Sequence, residues 1–439
     1  MSALLLMAVL AATPVKLEEA RARSRENTQA LIALLEARQA EQDVRRARSA
    51  LLPQLGLSAG ADVSIAGPQR VEVQNPETGE YVQLPEPAPG FTRPSFDLGL
   101  SLNQLLFDRA AWARLAQSGA QREAEQGEAR EQTATSELEG IQRFFALYRS
   151  QASIQVLEAN VRRSEEQLER ARALFQAGRV GKGEELSAQV NLGNDRIFLV
   201  ERRAQLVADQ GQLAVWLALP GAEPLEAVEP GSLDTLPPAP LPLAQALSEA
   251  KSRRPLLVAL RERVRAAELE QRVASSGYWP TLSLSAGYGR RAVSPDIVYL
   301  QPGLQNAVSA GLTLTWDLFS GFATDAATQR AALSQRILSL NLEQTERELE
   351  ASVRQAHESL QAQMTATELA ADNRKAAASA LVLAQERFNA GVGSTLEVRD
   401  AQLKLTQAEL TLLENRIDVE LARFALTRAM GMLGPGESQ

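Results

Sequence analysis

The sequence predicts an α+β membrane protein, with four transmembrane β-strands per chain, long α-helices of coiled-coil type and two internal repeats of one unit. Three observations predict it. Four short segments alternate between apolar and small polar residues, two tracts of about seventy residues carry helical sequence without a proline, and the chain spells much of its pattern twice.

The strand segments come first because their alternation is strict. One face of the first carries Leu55, Leu57, Ala59, Ala61, Val63 and Ile65, and the other carries Gly56, Ser58, Gly60, Asp62 and Ser64. The second sets Phe96, Leu98, Leu100 and Leu102 against Asp97, Gly99, Ser101 and Asn103. The third sets Leu282, Leu284, Ala286 and Tyr288 against Ser283, Ser285, Gly287 and Gly289. The fourth sets Val308, Ala310, Leu312, Leu314 and Trp316 against Ser309, Gly311, Thr313, Thr315 and Asp317. A half-buried sheet in a soluble protein would show water a face of Lys, Glu and Arg. Here that face is mostly glycine, serine and threonine, which suits a transmembrane β-barrel with apolar residues outward and a wet lumen. About ten residues at about 3.3 Å each, tilted near 45°, span about 25 Å. Phe107, Trp112, Tyr278, Trp279, Trp316 and Phe319 lie at or just beyond strand ends, as an interfacial aromatic girdle requires. Four strands cannot close a barrel, and an open edge in lipid leaves unpaired amides, so other copies must complete the wall. Two chains would supply eight strands and three would supply twelve, and a lumen lined by small residues favours the wider choice.

Helices flank each strand pair. The first is expected at about Leu17 to Ala50, ended by Pro53, and its counterpart at about Leu243 to Ser276, ended by Pro280, because proline lacks the amide donor. Asp108 and Ser320 are candidate N-caps of the long tracts, which continue to Gly178 and Gly391. Seventy helical residues would be about 105 Å long. Ile141, Phe145, Tyr148, Ala152, Leu157, Val161, Leu168, Ala171 and Phe175 recur at threes and fours, a narrow seam suited to coiled-coil packing. A turn then leads to a shorter helix, about Glu184 to Leu219 and Thr395 to Met432, and the two shorter helices together match one long helix in length.

The duplication embraces all of these elements. Leu51 to Gly60 matches Tyr278 to Gly287, the stretch ending at Phe107 matches that ending at Phe319, and Phe175-Gln176-Ala177-Gly178 matches Phe388-Asn389-Ala390-Gly391. The offset is 227 at the prolines, 212 at Phe107 and 213 at the glycines, so the first half carries 15 extra residues between its strands. The expected domains are a signal peptide at 1–12, repeat one at 13–219, a Pro-rich linker or belt at 220–242, repeat two at 243–432 and a tail at 433–439. Met1 to Ala12 is a short apolar run ending in small residues, although it lacks an early Lys or Arg. The loops Ala66 to Pro94 and Ala292 to Asn306 are rich in Pro, Gly and polar residues and are expected outside the cell, so the helices at the other strand ends belong in the periplasm.

A formal net charge of −8 argues against nucleic acid as a partner, and zero cysteines exclude disulfide, thiolate and Cys-anchored lipoprotein chemistry. His357-Glu358-Ser359-Leu360-Gln361 begins like a zinc-protease motif, but Gln361 replaces the second histidine and the chain has no other; a solvated helix face is the expectation there. Gly178-Arg179-Val180-Gly181-Lys182-Gly183 is too short for a phosphate loop and has Gly183 where Ser or Thr is needed. Carboxylates on the long helices are expected to be solvated pairs. No active site and no cofactor are expected.

With this order of motifs the chain resembles the TolC-like outer membrane efflux protein (outer membrane factor) family over nearly its whole length. The residues that carry the resemblance are Pro53 and Pro280 at the strand starts, Trp316-Asp317-Leu318-Phe319-Ser320-Gly321, and Arg387-Phe388-Asn389-Ala390-Gly391-Val392-Gly393. The resemblance implies a homotrimer in outer membrane lipid, with a twelve-stranded barrel continued by a periplasmic α-helical tunnel. It also implies docking to a periplasmic adaptor (membrane fusion protein) and an inner-membrane transporter for drug, metal or protein export, with no enzyme activity. Acidic rings at the periplasmic aperture would fall on Glu397 and Asp400, with Glu184 and Glu185 at the matching turn of the first half. Glu397 and Asp400, three apart, would share a helix face, whereas the bland reading is that they complement the helix dipole. Adaptor contacts would fall on Gly178, Arg179, Gly181, Gly183, Gly391, Val392, Gly393 and Ser394. Some relatives place an arginine latch where this chain has Gly393. Two other functions remain as alternatives, a structural coiled-coil protein without a pore and a self-sufficient porin; the first leaves the strand faces unexplained and the second leaves the helices unexplained.

Overall fold

The computed structural model describes residues 13–74, 76, 79–83, 86–219, 224–293 and 306–434. The signal-like run, most of the second outer loop and the last five residues lie outside the described residues. Chain contacts divide the protein into two compact units, and each draws on both halves of the sequence: Gln39–Arg122 with Arg263–Leu338, and Met1–Arg38 with Glu123–Glu262 and Ser339–Gln439.

The first of these units holds a four-stranded antiparallel sheet of β2 (Gln54–Ala66), β5 (Phe91–Phe107), β7 (Thr281–Ala292) and β8 (Asn306–Thr315) in that spatial order. The register places most apolar positions of one strand opposite an apolar position of the next: Leu55 faces Leu102, Leu57 faces Leu100, Leu284 faces Leu312 and Leu282 faces Leu314, while Leu98 faces Arg290 and Leu284 also faces Gln104. On the reverse face, glycine meets a short polar side chain across the strands, in the pairs Gly56 with Ser101, Ser58 with Gly99, Gly60 with Asp97, Ser285 with Gly311 and Gly287 with Ser309. Ser58 and Ser101 each donate to the carbonyl of the opposing glycine at 3.4 Å, and Ser285 does the same to Gly311. The hydroxyls thus lie down over their partners, and a Cβ at Gly99 would stand 2.8 Å from Ser58 Oγ. At these pairs the face carries little side-chain bulk because the residue opposite the polar group has no side chain at all, whereas Ser283 meets Thr313 and Ser64 meets Arg93. β5 bulges between Leu105 and Phe107. β2 and β8 are the sheet's edges, and Leu57, Val308 and Leu312 are 75%, 81% and 67% exposed.

Two expectations change here. The second strand starts at Phe91, five residues before the alternating run, because Thr92 and Pro94 continue the register opposite Ile65 and Val63. The first outer loop contains a hairpin of β3 (Glu72–Gln74) and β4 (Tyr81–Gln83).

The other unit is helical. It includes α1 (Leu17–Arg25), most of α3 (Arg109–Gln176), α4 (Lys182–Trp216), α5 (Leu243–Arg253), and most of α7 (Ala323–Asn389) with α8 (Thr395–Ala429). The long helices run 68 and 67 residues and the shorter ones 35 each, close to the predicted lengths. The helices expected at 17–50 and 243–276 are each broken. Asn27, buried, accepts the Ala30 amide at 2.9 Å and restarts the chain as α2 (Thr28–Ser49). Pro255 opens α6 (Pro255–Ser275), since it has no amide to continue α5. Asp108 does cap α3, accepting from Ala110 at 2.7 Å. Ser320 is not the cap of α7: the helix begins three residues on, after Gly321 and Phe322, both at positive φ. The proline-rich linker also holds a strand, β6 (Leu225–Ala227), parallel to β1 (Thr13–Val15); Val15, Leu225 and Ala227 are buried, and that burial outweighs the flanking prolines.

Apolar seams hold the helices together in pairs. Leu157, Val161 and Leu168 of α3 pack on Leu192 and Leu199 of α4. Leu381 and Ala384 of α7 pack on Val398, Ala401 and Leu405 of α8. A larger core gathers Ile141, Phe144, Phe145 and Leu147 with Val15, Leu213, Ile417 and Phe424. α1 comes close to α3 because Gly140 has no side chain; a Cβ there would stand 1.8 Å from Ser24 Oγ. Carboxylates on the long helices are not all solvated. Glu137, wholly buried, accepts from Arg21 and Arg25 of α1 at 2.7–2.9 Å, and that bond holds the Arg25 guanidinium above its ordinary pKa. Glu131 pairs with Arg254 at 2.6 Å and Arg428 at 3.1 Å, while burial pulls the Arg254 pKa down.

α4 also carries an apolar seam with no partner among the described residues. Leu186, Val190, Gly193, Ile197, Val200, Ala204, Val207 and Gly211 are spaced by alternating fours and threes, and all are exposed. Among them Val190, Val200 and Val207 are 61%, 65% and 67% exposed.

Candidate functional site

The candidate site is the pair of turns that join α3 to α4 and α7 to α8. Both turns end a helix in the same way. Gly178 and Gly391 sit at φ +67° and +77°, where a side chain would be strained, and the next amide closes the cap: Arg179 N donates to Leu174 O at 2.9 Å, Val392 N to Arg387 O at 3.0 Å. Ser394 starts α8 by accepting the Glu397 amide at 3.1 Å. Gly393 folds back onto α7, so a Cβ there would stand 2.9 Å from Phe388 N. An arginine at this position would have to displace backbone, which gives a steric reason for its absence. Nothing lies within 4 Å of the place a Cβ would take at Gly178, Gly181, Gly183 or Gly391, so this side of the turns is open.

The four acidic residues have different surroundings. Glu397 lies 3.6 Å from Arg387 Nε, and Asp400 lies 2.7 Å from Lys404 Nζ, the first pair about half exposed and the second more so. Such pairs stabilise little, yet each sets a cation beside its carboxylate and so offsets part of the negative charge it presents. Glu185 accepts from Lys182 at 2.5 Å and faces Arg172 at 3.6 Å; the lysine bond holds its carboxyl below the usual range. Glu184 instead accepts from the Thr395 hydroxyl of α8, which ties the two hairpins together.

Above the turns lies a constellation that the sequence reading missed. Arg399 of α8 grips Asp195 of α4 with both guanidinium nitrogens, at 2.8 and 2.9 Å, and donates to Ser164 of α3 at 3.1 Å. Ser164 donates to Asp195 at 2.5 Å; Gln402 donates to Ser164 at 3.0 Å and to Asn160 at 3.2 Å; Thr406 donates to Asn160 at 3.0 Å. Asp195, Ser164, Gln402 and Asn160 are no more than 3% exposed. The apolar seams hold each hairpin internally, whereas the contact between the hairpins at this level is polar. Its signal in the sequence is Asn160 and Ser164, four apart, set among the seam positions Leu157, Val161 and Leu168. A cavity of about 610 Å³ opens beside this network, lined by Gln167, Glu184, Asn191, Phe198, Leu396 and Leu403 among others.

The aromatic residues of the expected girdle are all exposed in the sheet-bearing unit. Trp112, Tyr278, Trp279 and Trp316 are between 51% and 59% exposed, and Trp316 Nε1 donates to Tyr278 O at 3.2 Å. Arg109 stacks over Trp279, and Phe322, which the sequence reading did not include, packs edge-on against Phe319. His357 departs from its expected solvated face. It is 5% exposed, and its Nε2 lies 3.0 Å from Leu241 O, so it fastens the linker to α7. Among the described residues no group of His, Asp or Glu could hold a metal ion, and no helix is long and apolar enough to cross a membrane.

Comparison with known proteins gives a consistent result. The sequence profile of the family described as "Outer membrane efflux protein" matches residues 17–218 and 246–432. The outer membrane protein TolC of Vibrio cholerae is 25% identical over 420 residues, 94% of this chain and 89% of that protein. The outer membrane efflux protein BepC of Brucella suis is 24% identical over 76% of this chain and 72% of its own length. In fold, the chain is similar to the Campylobacter jejuni CmeC outer membrane channel, with a TM-score of 0.81 at 17% identity, covering 96% of this chain and 87% of that one. The chain therefore belongs to the outer membrane efflux protein family, as an efflux or secretion channel of the Gram-negative outer membrane with a periplasmic part, and not an enzyme.

Proposed function

We propose that three copies of this chain form a twelve-stranded barrel continued by a helical tunnel, a duct that an adaptor and an inner-membrane transporter load from the periplasm. One observation carries the reading: the sheet is finished on neither edge, with β2 and β8 open and its apolar face exposed. Lipid tolerates no unpaired strand edge, so β8 of one copy must meet β2 of the next. The unpartnered 3–4 seam on α4 supports the same reading, since a neighbouring copy's helix would cover it. The matching element lengths and turns of the two halves support an internal duplication. Purification from outer membranes with mild detergent should give a particle of three times 47.6 kDa, and introduced cysteines on the outer edges of β2 and β8 should cross-link only between copies. A monomeric particle without such cross-links would overturn the assembly.

The turns at Gly178, Arg179, Gly181, Gly183, Gly391, Val392, Gly393 and Ser394 are our assignment for adaptor docking, with Gly178, Gly181, Gly183 and Gly391 on their open side. Bulky residues at Gly181 and Gly183 should abolish export in cells while leaving assembled channels intact; export that survives would place docking elsewhere. Threefold symmetry would stack Glu397 and Asp400 into acidic rings at the aperture. Replacing both with Gln and Asn should weaken cation selectivity in planar bilayers. Replacing Arg387 and Lys404 by Gln should strengthen it, because those side chains neutralise the same carboxylates. An unchanged reversal potential in both variants would remove the rings from the account.

A further inference from the structure

Among the described residues, the apolar face of the sheet carries a charge in one place. Arg290 of β7 shares the face of Leu282, Leu284, Ala286 and Tyr288, and the register sets it between Leu98 of β5 and Asn306 of β8. The Tyr288 hydroxyl donates to Asn306 Oδ1 at 3.1 Å, an arrangement that turns the amide's Nδ2 donors away from the tyrosine. An arginine, an asparagine and a tyrosine therefore neighbour one another on a face that is otherwise mostly Leu, Val, Ala, Ile and Phe, with Thr92 and Gln104 of β5 as its other polar residues. Arg291, the next residue, lies on the glycine and hydroxyl face opposite Asp97.

Depth decides what this cluster can meet. An arginine on the lipid face costs about 2–4 kcal/mol at the bilayer midplane and about 0–1 kcal/mol near the interface. Arg290 lies eleven residues along the chain from Trp279 of the girdle. At about 3.4 Å per residue and a tilt of 35–45°, it stands about 26–31 Å above that level, at the far boundary of an apolar band about 25 Å tall. This is the headgroup layer of the outer leaflet. Arg290 already has a contact within the protein, but a guanidinium carries five donors in a planar fork, and those it keeps at that depth match phosphate geometry, to which a neighbouring amide adds further donors.

We propose that Arg290, with Asn306 held by Tyr288, binds the phosphate group of an outer-leaflet lipid of the lipid A class. The site rests on the outward assignment of the apolar face. It orders one anionic lipid against each copy of β7 and β8, at the point where the sheet leaves the hydrocarbon.

Full-length wild type, Arg290→Gln and Arg291→Gln would be reconstituted in phosphatidylcholine vesicles containing either phosphorylated or dephosphorylated lipid A. The lipid retained per chain after detergent extraction is then counted by native mass spectrometry. Wild type should retain the phosphorylated lipid on the order of tenfold better, the scale of one charge-assisted hydrogen bond. Arg290→Gln should lose that preference and Arg291→Gln should keep it. Equal retention of both lipids by wild type, or a preference untouched by Arg290→Gln, would overturn the site without disturbing the face assignment. Loss with Arg291→Gln alone would overturn both, because it would mean that the faces are reversed. Inorganic phosphate added as competitor should leave the lipid bound; displacement by it would identify a free anion as the ligand and overturn the lipid.

Discussion

Arg399→Leu is the substitution with the largest expected effect on the turn region. It removes the cation that faces Asp195, a carboxylate 3% exposed, and among the described residues leaves it the Ser164 hydroxyl, which also loses its bond from Arg399. Removing one partner of a buried pair costs about 3–5 kcal/mol. Arg399 is itself 16% exposed, so water can partly replace it and the lower end applies. About 3 kcal/mol corresponds to roughly a 150-fold change in a local opening equilibrium. The assay is native-state hydrogen exchange on the assembled channel. Amides of α8 between Arg399 and Glu409 should exchange about two orders of magnitude faster, while those around Phe144 and Phe145, in the separate large core, should not change. Asp195→Leu combined with Arg399→Leu should recover much of the protection, since a buried pair replaced by apolar groups is often near neutral. If Arg399→Leu left the protection of α8 untouched, the polar network would not be what joins the hairpins.

Other expectations concern separate contacts. Gly140→Leu should destabilise by about 1–3 kcal/mol, the usual cost of overpacking, because α1 must retreat from α3; the apparent melting temperature of the assembled channel checks it. Glu137→Gln removes the buried carboxylate that Arg21 and Arg25 share, leaving Arg21 only its exposed partner Glu18, and should free α1, seen as faster proteolysis before Arg25. Gly393→Arg should not create a latch but should disturb the turn, so hydrogen exchange at Phe388 to Gly391 should rise. Because the Lys182 bond lowers the Glu185 pKa, its contribution is present above the ordinary carboxylate value of 4.5 and fades as pH falls through the lower folded value. Exchange of the turn at 178–185, corrected for its intrinsic pH dependence, should therefore rise only below pH 4.5 in wild type and should lose this step in Lys182→Ala.

The parts legible in the sequence are those set by simple periods. Alternation at a period of two placed Leu55, Leu100, Leu284 and Leu314 on one face, and the strand register agrees at each. The turns were legible because Gly178 and Gly391 must adopt positive φ, a demand that leaves a residue-type signature. The breaks at Asn27 and Pro255 were missed because apolar periodicity continues across them while the backbone does not. The Asp195–Arg399 pair was missed for a different reason. Its members are 204 residues apart, and a charged residue on a long helix looks solvated until the packing of a third helix is known. His357 misled in the same way, since its partner is a backbone carbonyl that carries no sequence signal.

The account stands most directly on which side of the sheet meets lipid. Spin labels at Leu284 and Leu314, with Ser283 and Thr313 as the opposite pair, can be read in native outer membrane vesicles for collision with oxygen and with a water-soluble nickel chelate. The account predicts high oxygen and low nickel accessibility at the two leucines, and the reverse at the serine and threonine. Nickel accessibility at Leu284 and Leu314 equal to that of the other pair would contradict it.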